Sequence, residues 1–213
     1  MKYIDLEQWE RKGHYQFFSS MDVPYFSMTF DVDVTKAIAY AKQHSCKIFS
    51  LLLYFSMQVA NEIPELKTRI RDDQVVEHDS IDPGFTIMGD SGMFNFCYAS
   101  FNNDSRQFFA NVDTNTAERK KATSLVVESV GRDDVVYVTS VPWVKFTNLQ
   151  HPMNTVCSDS IPRLAWGRFT ESGNALVMPY NIQLHHGLAD GAHIGKFYEA
   201  FQERLNEPDA FIR

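Results

Sequence analysis

Cysteine is scarce in this sequence. Cys46, Cys97 and Cys157 are the only three in 213 residues, widely spaced and with no CxxC pair. An odd count without paired spacing argues against a disulfide scaffold or a zinc ribbon, and three ordinary thiols are expected. Long apolar runs are also missing. None approaches the roughly 20 residues that cross a bilayer, so no membrane partner is expected. The start, Met1-Lys2-Tyr3-Ile4-Asp5-Leu6-Glu7, lacks the apolar stretch of a signal peptide, which makes a cytoplasmic location the default.

Positive charge is in deficit. Twenty lysines and arginines face 27 aspartates and glutamates, for a net charge of −7. That balance opposes sequence-independent nucleic-acid binding, which needs a basic face. It leaves room for an anionic small molecule, because screening over ~8 Å makes local charge matter more than the total. No repeat, low-complexity tract or Pro/Gly/Ser-rich linker divides the chain, so residues 1–213 are expected to form one domain. The GxSxG elbow, the GxxxxGK[ST] phosphate loop and the GxGxxG fingerprint are absent.

What is present is a helix-and-strand alternation rich in hydrophobic (44%) and aromatic (14%) residues, enough for a packed core rather than a disordered chain. Asp5-Leu6-Glu7-Gln8 resembles a capping box and predicts a helix from about Leu6. Residues 24–32 read as a strand. Thr35 is placed to cap a helix running to about His44. An apolar helix spans about Phe49 to Ile63, where Pro64 ends it. Short strands are expected over 66–71, 75–79, 84–89 and 94–101, a polar helix over 104–122, and strands over 134–140 and 163–171.

The last third has the sharpest pattern. Over 175–186, Leu176, Met178, Tyr180, Ile182 and Leu184 share one face, and Asn181, Gln183 and His185 share the other. A helix follows at about 191–206, with Ile194, Phe197, Tyr198, Phe201 and Leu205 as its apolar stripe. Continuing the strand's period turns His186 inward at the strand-to-helix junction, on the face opposite His185.

That junction reads Gln183-Leu184-His185-His186-Gly187-Leu188-Ala189-Asp190-Gly191. A neutral imidazole is suited to take a proton near pH 7, its ordinary pKa being ~6.5. Taken singly, a core histidine, a helix-capping Asp190 and turn glycines would explain each residue. Their combination in this order points to a general base. His185, His186, Asp190 and His193 offer metal-ligand chemistry, but adjacent strand histidines point apart and no HExxH or Cys/His pattern accompanies them, so no metal is expected.

With these residues in place, the sequence resembles the chloramphenicol acetyltransferases. Their ending, Q-[LIV]-H-H-x-x-x-D-G-x-H, is matched from Gln183 to His193. Their opening, W-x-R-[KR]-x-H-[FY], is matched from Trp9 to Tyr15. Their S-x-x-P-W-V-x-F is nearly matched from Thr139 to Phe146. The resemblance implies a two-layer α/β sandwich with a mixed sheet, assembled as a homotrimer whose active site lies between subunits. It implies acetyl-CoA as co-substrate and a small hydroxyl-bearing acceptor.

It also implies roles. His186 would be the base, and Asp190 would pair with Arg11 through a bond that could be bidentate. Thr139 would replace the family's oxyanion serine, with a stiffer χ1, and Ser140 would face the other side of its strand. Lys47, Trp143 and Arg168 would meet the coenzyme. The acceptor pocket departs from the family pattern. Phe18 stands where a tyrosine is usual, Ala165 where a threonine is usual, Arg163 where an apolar residue is usual, and Ala192 where an aromatic usually follows D-G. Phe26 would be a further acceptor-contacting residue. These changes leave open a different acceptor, or a trimeric binding protein with weak catalysis.

Overall fold

The computed structural model describes residues 1–123, 125, 131–154 and 159–213. Cys157 lies outside them. Cys46 and Cys97 are free thiols, and burial pushes both thiol pKa values up.

The strands are β1 (Lys2–Tyr3), β2 (Tyr25–Asp33), β3 (Thr68–Arg71), β4 (Gln74–Glu77), β5 (Asp82–Met88), β6 (Phe94–Tyr98), β7 (Val135–Val141), β8 (Arg163–Gly167), β9 (Thr170–Ser172) and β10 (Ala175–His185). The helices are α1 (Lys12–Ser19), α2 (Thr35–Gln43), α3 (Ile48–Glu62), α4 (Ser105–Lys120), α5 (Gly191–Asn206) and α6 (Pro208–Phe211), with a 3-10 turn at Pro64–Lys67.

A seven-stranded mixed sheet runs in the order β2-β10-β8-β7-β5-β6, with β9 on β10. The β5–β7 and β7–β8 pairs are parallel and the others antiparallel. A small sheet, β1-β4-β3, stands apart. Helices cover one face, giving a two-layer α/β sandwich. No helix among the described residues is long and apolar enough to cross a membrane.

The core explains the order. α3 is apolar nearly all round, with Leu51 to Phe55, Met57, Val59 and Ala60 buried, so it lies at the centre of the helical layer. It ends where Ile63 goes extended before Pro64. Met178, Tyr180, Ile182 and Leu184 of β10 pack under it, together with Ile194, Phe197, Phe201 and Leu205 of α5. Tyr198 sits at the rim of that stripe, 38% exposed, edge-on to Phe30.

Two local expectations change, and the polar face of β10 finds a cover. Residues 6–8 form a turn rather than a helix. Asp5 Oδ1 accepts from the N–H of Glu7 at 3.0 Å, and Ile4 N–H donates to Val75 O at 2.9 Å, holding the chain in an extended approach to β4. Thr35 is the first helical residue of α2, and its hydroxyl accepts from Leu176 N–H at 2.8 Å. Asp33 instead takes Thr35 N–H at 2.8 Å. The polar face of β10 is not a solvated one. Asn181, Gln183 and His185 are buried, because the segment around Leu149 and His151 lies across them, with Ser27 Oγ donating to Leu149 O and His151 N–H donating to Gln183 Oε1, both at 2.9 Å.

Candidate active site

β10 gives way to α5 through a short loop whose bonds are mostly local. His186 N–H donates to Pro24 O at 2.7 Å, extending the β2–β10 pairing by one step. Leu188 and Ala189 N–H both donate to His185 O. A Cβ at Gly187 would come within 3.2 Å of Tyr15 Cα and of the His185 ring, so glycine permits this close approach. His185 is 4% exposed and accepts from Gly187 N–H at 3.2 Å. Burial, then its neighbour His186, lowers its pKa to about 4, so it is neutral and structural.

The His186 ring is half-buried and clamped. Phe18 stacks on it at 3.9 Å between centroids and 14° between planes, and Phe26 lies against it at 4.4 Å. Its Nδ1 is 3.1 Å from the carbonyl oxygen of Ala189. A carbonyl only accepts, so Nδ1 carries a proton, and in the neutral ring Nε2 carries the lone pair. That tautomer is the one a general base needs.

Asp190 serves both of its sequence readings, one with each oxygen. Oδ1 caps α5, accepting from Ala192 N–H at 3.0 Å, while Asp190 N–H donates to His193 Nδ1 at 3.1 Å in a capping box. Oδ2 accepts from Arg11 Nη1 at 2.7 Å. Burial alone would raise the Asp190 pKa. The Arg11 bond, the Ala192 N–H and the neighbouring His193 outweigh it and hold the value at about 2. The pair uses a single nitrogen rather than a bidentate fork, and Arg11 Nε and Nη2 have no hydrogen-bond partner among the described residues. Leu188 packs with Tyr15, Val75 and Trp9 in a small second cluster, so the opening and closing motifs brace one another.

Thr139 lies elsewhere. Across the sheet it pairs with Ala165, which pairs with Asn181. Thr139, Ala165 and Asn181 therefore share the face away from the helices. His186 follows five residues after Asn181, and its contact with Phe26, whose register partner is Leu184, puts it on the other face. Two strand spacings and five residue rises separate Thr139 from His186 by ~20 Å within one chain.

Thr139 opens instead on a cleft of about 260 Å³ with Tyr137, Tyr98, Phe96, His151 and Arg163. Arg163 is 6% exposed and paired with Asp159, with its guanidinium 5.4 Å from the Tyr137 ring. Ala165 is fully buried and does not line this cleft.

Ser140, on the opposite face, lines a groove of about 320 Å³ with Lys47, Lys120, Asp113 and Trp143. Lys47 Nζ is 2.9 Å from Asp113 Oδ1, an exposed pair of small energetic weight. Trp143 is 61% exposed and is no core residue. Arg168 is exposed beside this loop, its N–H donating to Val144 O at 2.9 Å, without lining the groove.

The expected residues thus fall into three groups: His186 with Phe18, Phe26, Arg11 and Asp190; Thr139 with Arg163; and Lys47 with Trp143. His151 and Asp159 join the second group unforeseen, because they lie in an irregular segment with no periodicity or motif to mark them. No three His, Cys, Asp or Glu side chains come together as a metal site among the described residues.

A family model described as chloramphenicol acetyltransferase matches residues 1–202. Chloramphenicol acetyltransferase 3 of Escherichia coli is 26% identical over 204 residues, covering 95% of this chain and 96% of that protein. A chloramphenicol acetyltransferase of Proteus mirabilis is 26% identical over 205 residues, covering 96% and 94%. A solved chloramphenicol acetyltransferase superposes with a TM-score of 0.89 at 29% identity, covering 96% of this chain and 99% of that one. A truncated catalytic core of the Thermoplasma acidophilum 2-oxoacid dehydrogenase complex, at TM-score 0.70 and 16% identity, shares the fold.

Proposed function

The chain belongs to the chloramphenicol acetyltransferase family, and from that premise we propose that it transfers an acetyl group from acetyl-CoA to a hydroxyl of chloramphenicol or a similar small acceptor. The observation that carries this reading is the state of His186. Its ring is held between Phe18 and Phe26, and its proton is committed to Ala189 O, so the Nε2 lone pair is left for a substrate hydroxyl.

In this reading His186 Nε2 takes the hydroxyl proton while the oxygen attacks the thioester carbonyl, a step to which a general base contributes roughly 10²–10⁴-fold. The hydroxyl of Thr139 donates to the resulting oxyanion. Collapse expels the thiolate, which recovers the proton from His186. Asp190, fixed by Arg11, positions the loop. Lys47 and Lys120 give the groove beside Trp143 the positive charge that suits the coenzyme's phosphates, and Arg168 adds to it at the edge.

Thr139 and His186 are on opposite faces of one sheet, so the complete site needs two copies, with His186 of one facing the Thr139 cleft of the next. A homotrimer of single-domain chains in the cytoplasm fits this requirement.

The test is thiol release from acetyl-CoA with and without chloramphenicol, for wild type and His186→Ala. A chloramphenicol-dependent rate lost by several orders of magnitude in His186→Ala supports the proposal. Equal rates in both proteins would leave only a binding protein. The polar Arg163 in the cleft, paired with Asp159, favours a second acceptor over chloramphenicol itself, and acetyl transfer to other alcohols but not to chloramphenicol would establish that variant.

A further inference from the structure

One peptide plane joins His186 to a second histidine. The carbonyl of that plane belongs to Ala189 and lies 3.1 Å from His186 Nδ1. Its N–H belongs to Asp190 and donates to His193 Nδ1 at 3.1 Å. No cis peptide occurs among the described residues, so the two groups point in opposite directions from one rigid trans unit. A tilt of the plane that releases one of them also moves the other.

His193 is the third residue of α5 and is 7% exposed. A ring nitrogen that accepts an N–H carries no proton of its own, so in the neutral ring the proton sits on Nε2. Nε2 faces Glu65 Oε1 at 3.4 Å, and that carboxylate, on the 3-10 turn at Pro64–Lys67, favours a proton there. Asp190 Oδ1 is also 2.9 Å from His193 Nδ1, but it takes its hydrogen bond from Ala192 N–H at 3.0 Å.

Every proton in this chain is therefore offered in one direction, from His186 through the peptide and His193 toward Glu65. Hydrogen bonds in series polarise one another. A bonded Asp190 N–H makes the Ala189 oxygen a better acceptor, and a better acceptor keeps the proton on His186 Nδ1. The Arg11 bond works on the side chain of Asp190, whereas His193 works on its backbone.

We propose that His193 is a positioning residue for the general base, holding His186 through the Ala189–Asp190 peptide in the tautomer that leaves Nε2 free. Its effect on rate rests on the acetyl-transfer reading, while its effect on the His186 ring does not. His193 lines neither the Lys47 groove nor the Thr139 cleft, so it should act on kcat and spare KM.

The test reads the ring nitrogens by long-range proton–nitrogen NMR of the full chain in its native assembly, with isotopically labelled histidine. The spectra are taken at about pH 8, above the ordinary imidazole pKa of ~6.5. His186→Ala and His193→Asn assign the two rings. Wild type should show opposite tautomers, with the proton on Nδ1 in His186 and on Nε2 in His193. His193→Leu removes the acceptor. The His186 ring then becomes a mixture of tautomers, and kcat falls by up to about tenfold, the worth of one net hydrogen bond. KM for acetyl-CoA stays. His193→Asn sets Oδ1 where Nδ1 was, so it should restore the His186 tautomer and most of kcat.

A His193 that is only part of the helix cap would lower the melting temperature in His193→Leu and leave the His186 tautomer unmoved, which overturns the proposal. A wild-type His193 with its proton on Nδ1 overturns it as well, and that measurement needs no variant to fold. If the His186 tautomer shifts in His193→Leu while wild type releases no thiol with any acceptor, the positioning stands and the acetyl-transfer reading falls.

Discussion

Arg11 Nη1 donates to Asp190 Oδ2 at 2.7 Å, joining residues 179 positions apart and tying the first helix to the loop that carries His186. The other Asp190 oxygen caps α5. Asparagine caps a helix about as well as aspartate. Asp190→Asn therefore removes the charge pair and spares the cap. We expect stability to fall by about 1 kcal/mol, the scale of a part-exposed pair, and kcat/KM to fall on the order of 10²-fold as the loop loses its brace. Asp190→Ala should lose about 1 kcal/mol more by removing the cap. Melting and turnover per folded molecule, measured together, decide between the roles. A large melting shift with a normal residual rate makes Asp190 only a cap.

The same pair has a pH signature. The folded-state pKa of Asp190, about 2, lies below its ordinary 3.8. A depressed carboxylate contributes stability fully above its unfolded value and loses it as pH falls through its folded value. The contribution of Asp190 should therefore vanish between about pH 4 and pH 2, and Asp190→Asn should unfold with a shallower acid limb in that window. Parallel acid limbs for the two proteins would show that Arg11 does not stabilise the charged form.

Arg69 was not expected as a structural residue, yet it is fully buried. Its guanidinium donates to four carbonyls, those of Leu66, Thr68, Asp133 and Val135, at 2.7–2.8 Å. These bonds fasten β3 of the small sheet to β7 of the main one. Arg69→Met keeps the apolar stem and orphans those acceptors, at roughly 1–3 kcal/mol for each one left dry. We expect a loss of about 3 kcal/mol or more in urea unfolding, with turnover per folded molecule unchanged. A loss under about 1 kcal/mol would mean that water replaces the guanidinium.

The elements most legible in the sequence were those whose own pattern decides them. α5 runs over Gly191–Asn206, as its apolar stripe and the preceding Asp190 indicate, and β10 stops at His185, one residue short of the expected end. Expectations failed where a distant partner decides. Asp5 turns instead of starting a helix because Ile4 is bonded to Val75. The alternation that puts Asn181, Gln183 and His185 on one face does not show that the Leu149–His151 segment buries them. His151 carries no motif, and only the folded chain brings it to the Thr139 cleft. At the candidate site the family motifs marked His186, Arg11 and Asp190 as neighbours. The distance between His186 and Thr139 is a property of strand order and could not be read from spacing.

That distance yields the most discriminating prediction. His186 and Thr139 sit ~20 Å apart on opposite faces of one sheet, so neither His186→Ala nor Thr139→Ala should work alone. His186→Ala should lose roughly 10²–10⁴-fold and Thr139→Ala about 10²–10³-fold, while Thr139→Ser, which keeps the hydroxyl, should hold or raise turnover. Unfolding the two alanine variants together and refolding them as a mixture should restore activity. An intact Thr139 in one copy can then face an intact His186 in its neighbour. Random assortment in a cyclic assembly makes roughly a quarter of the sites whole, and sets the expected recovery relative to wild type. If both residues served one site within a single chain, no mixture would contain a complete site. Recovery near zero, with mixed assemblies shown to form, would therefore refute the shared site.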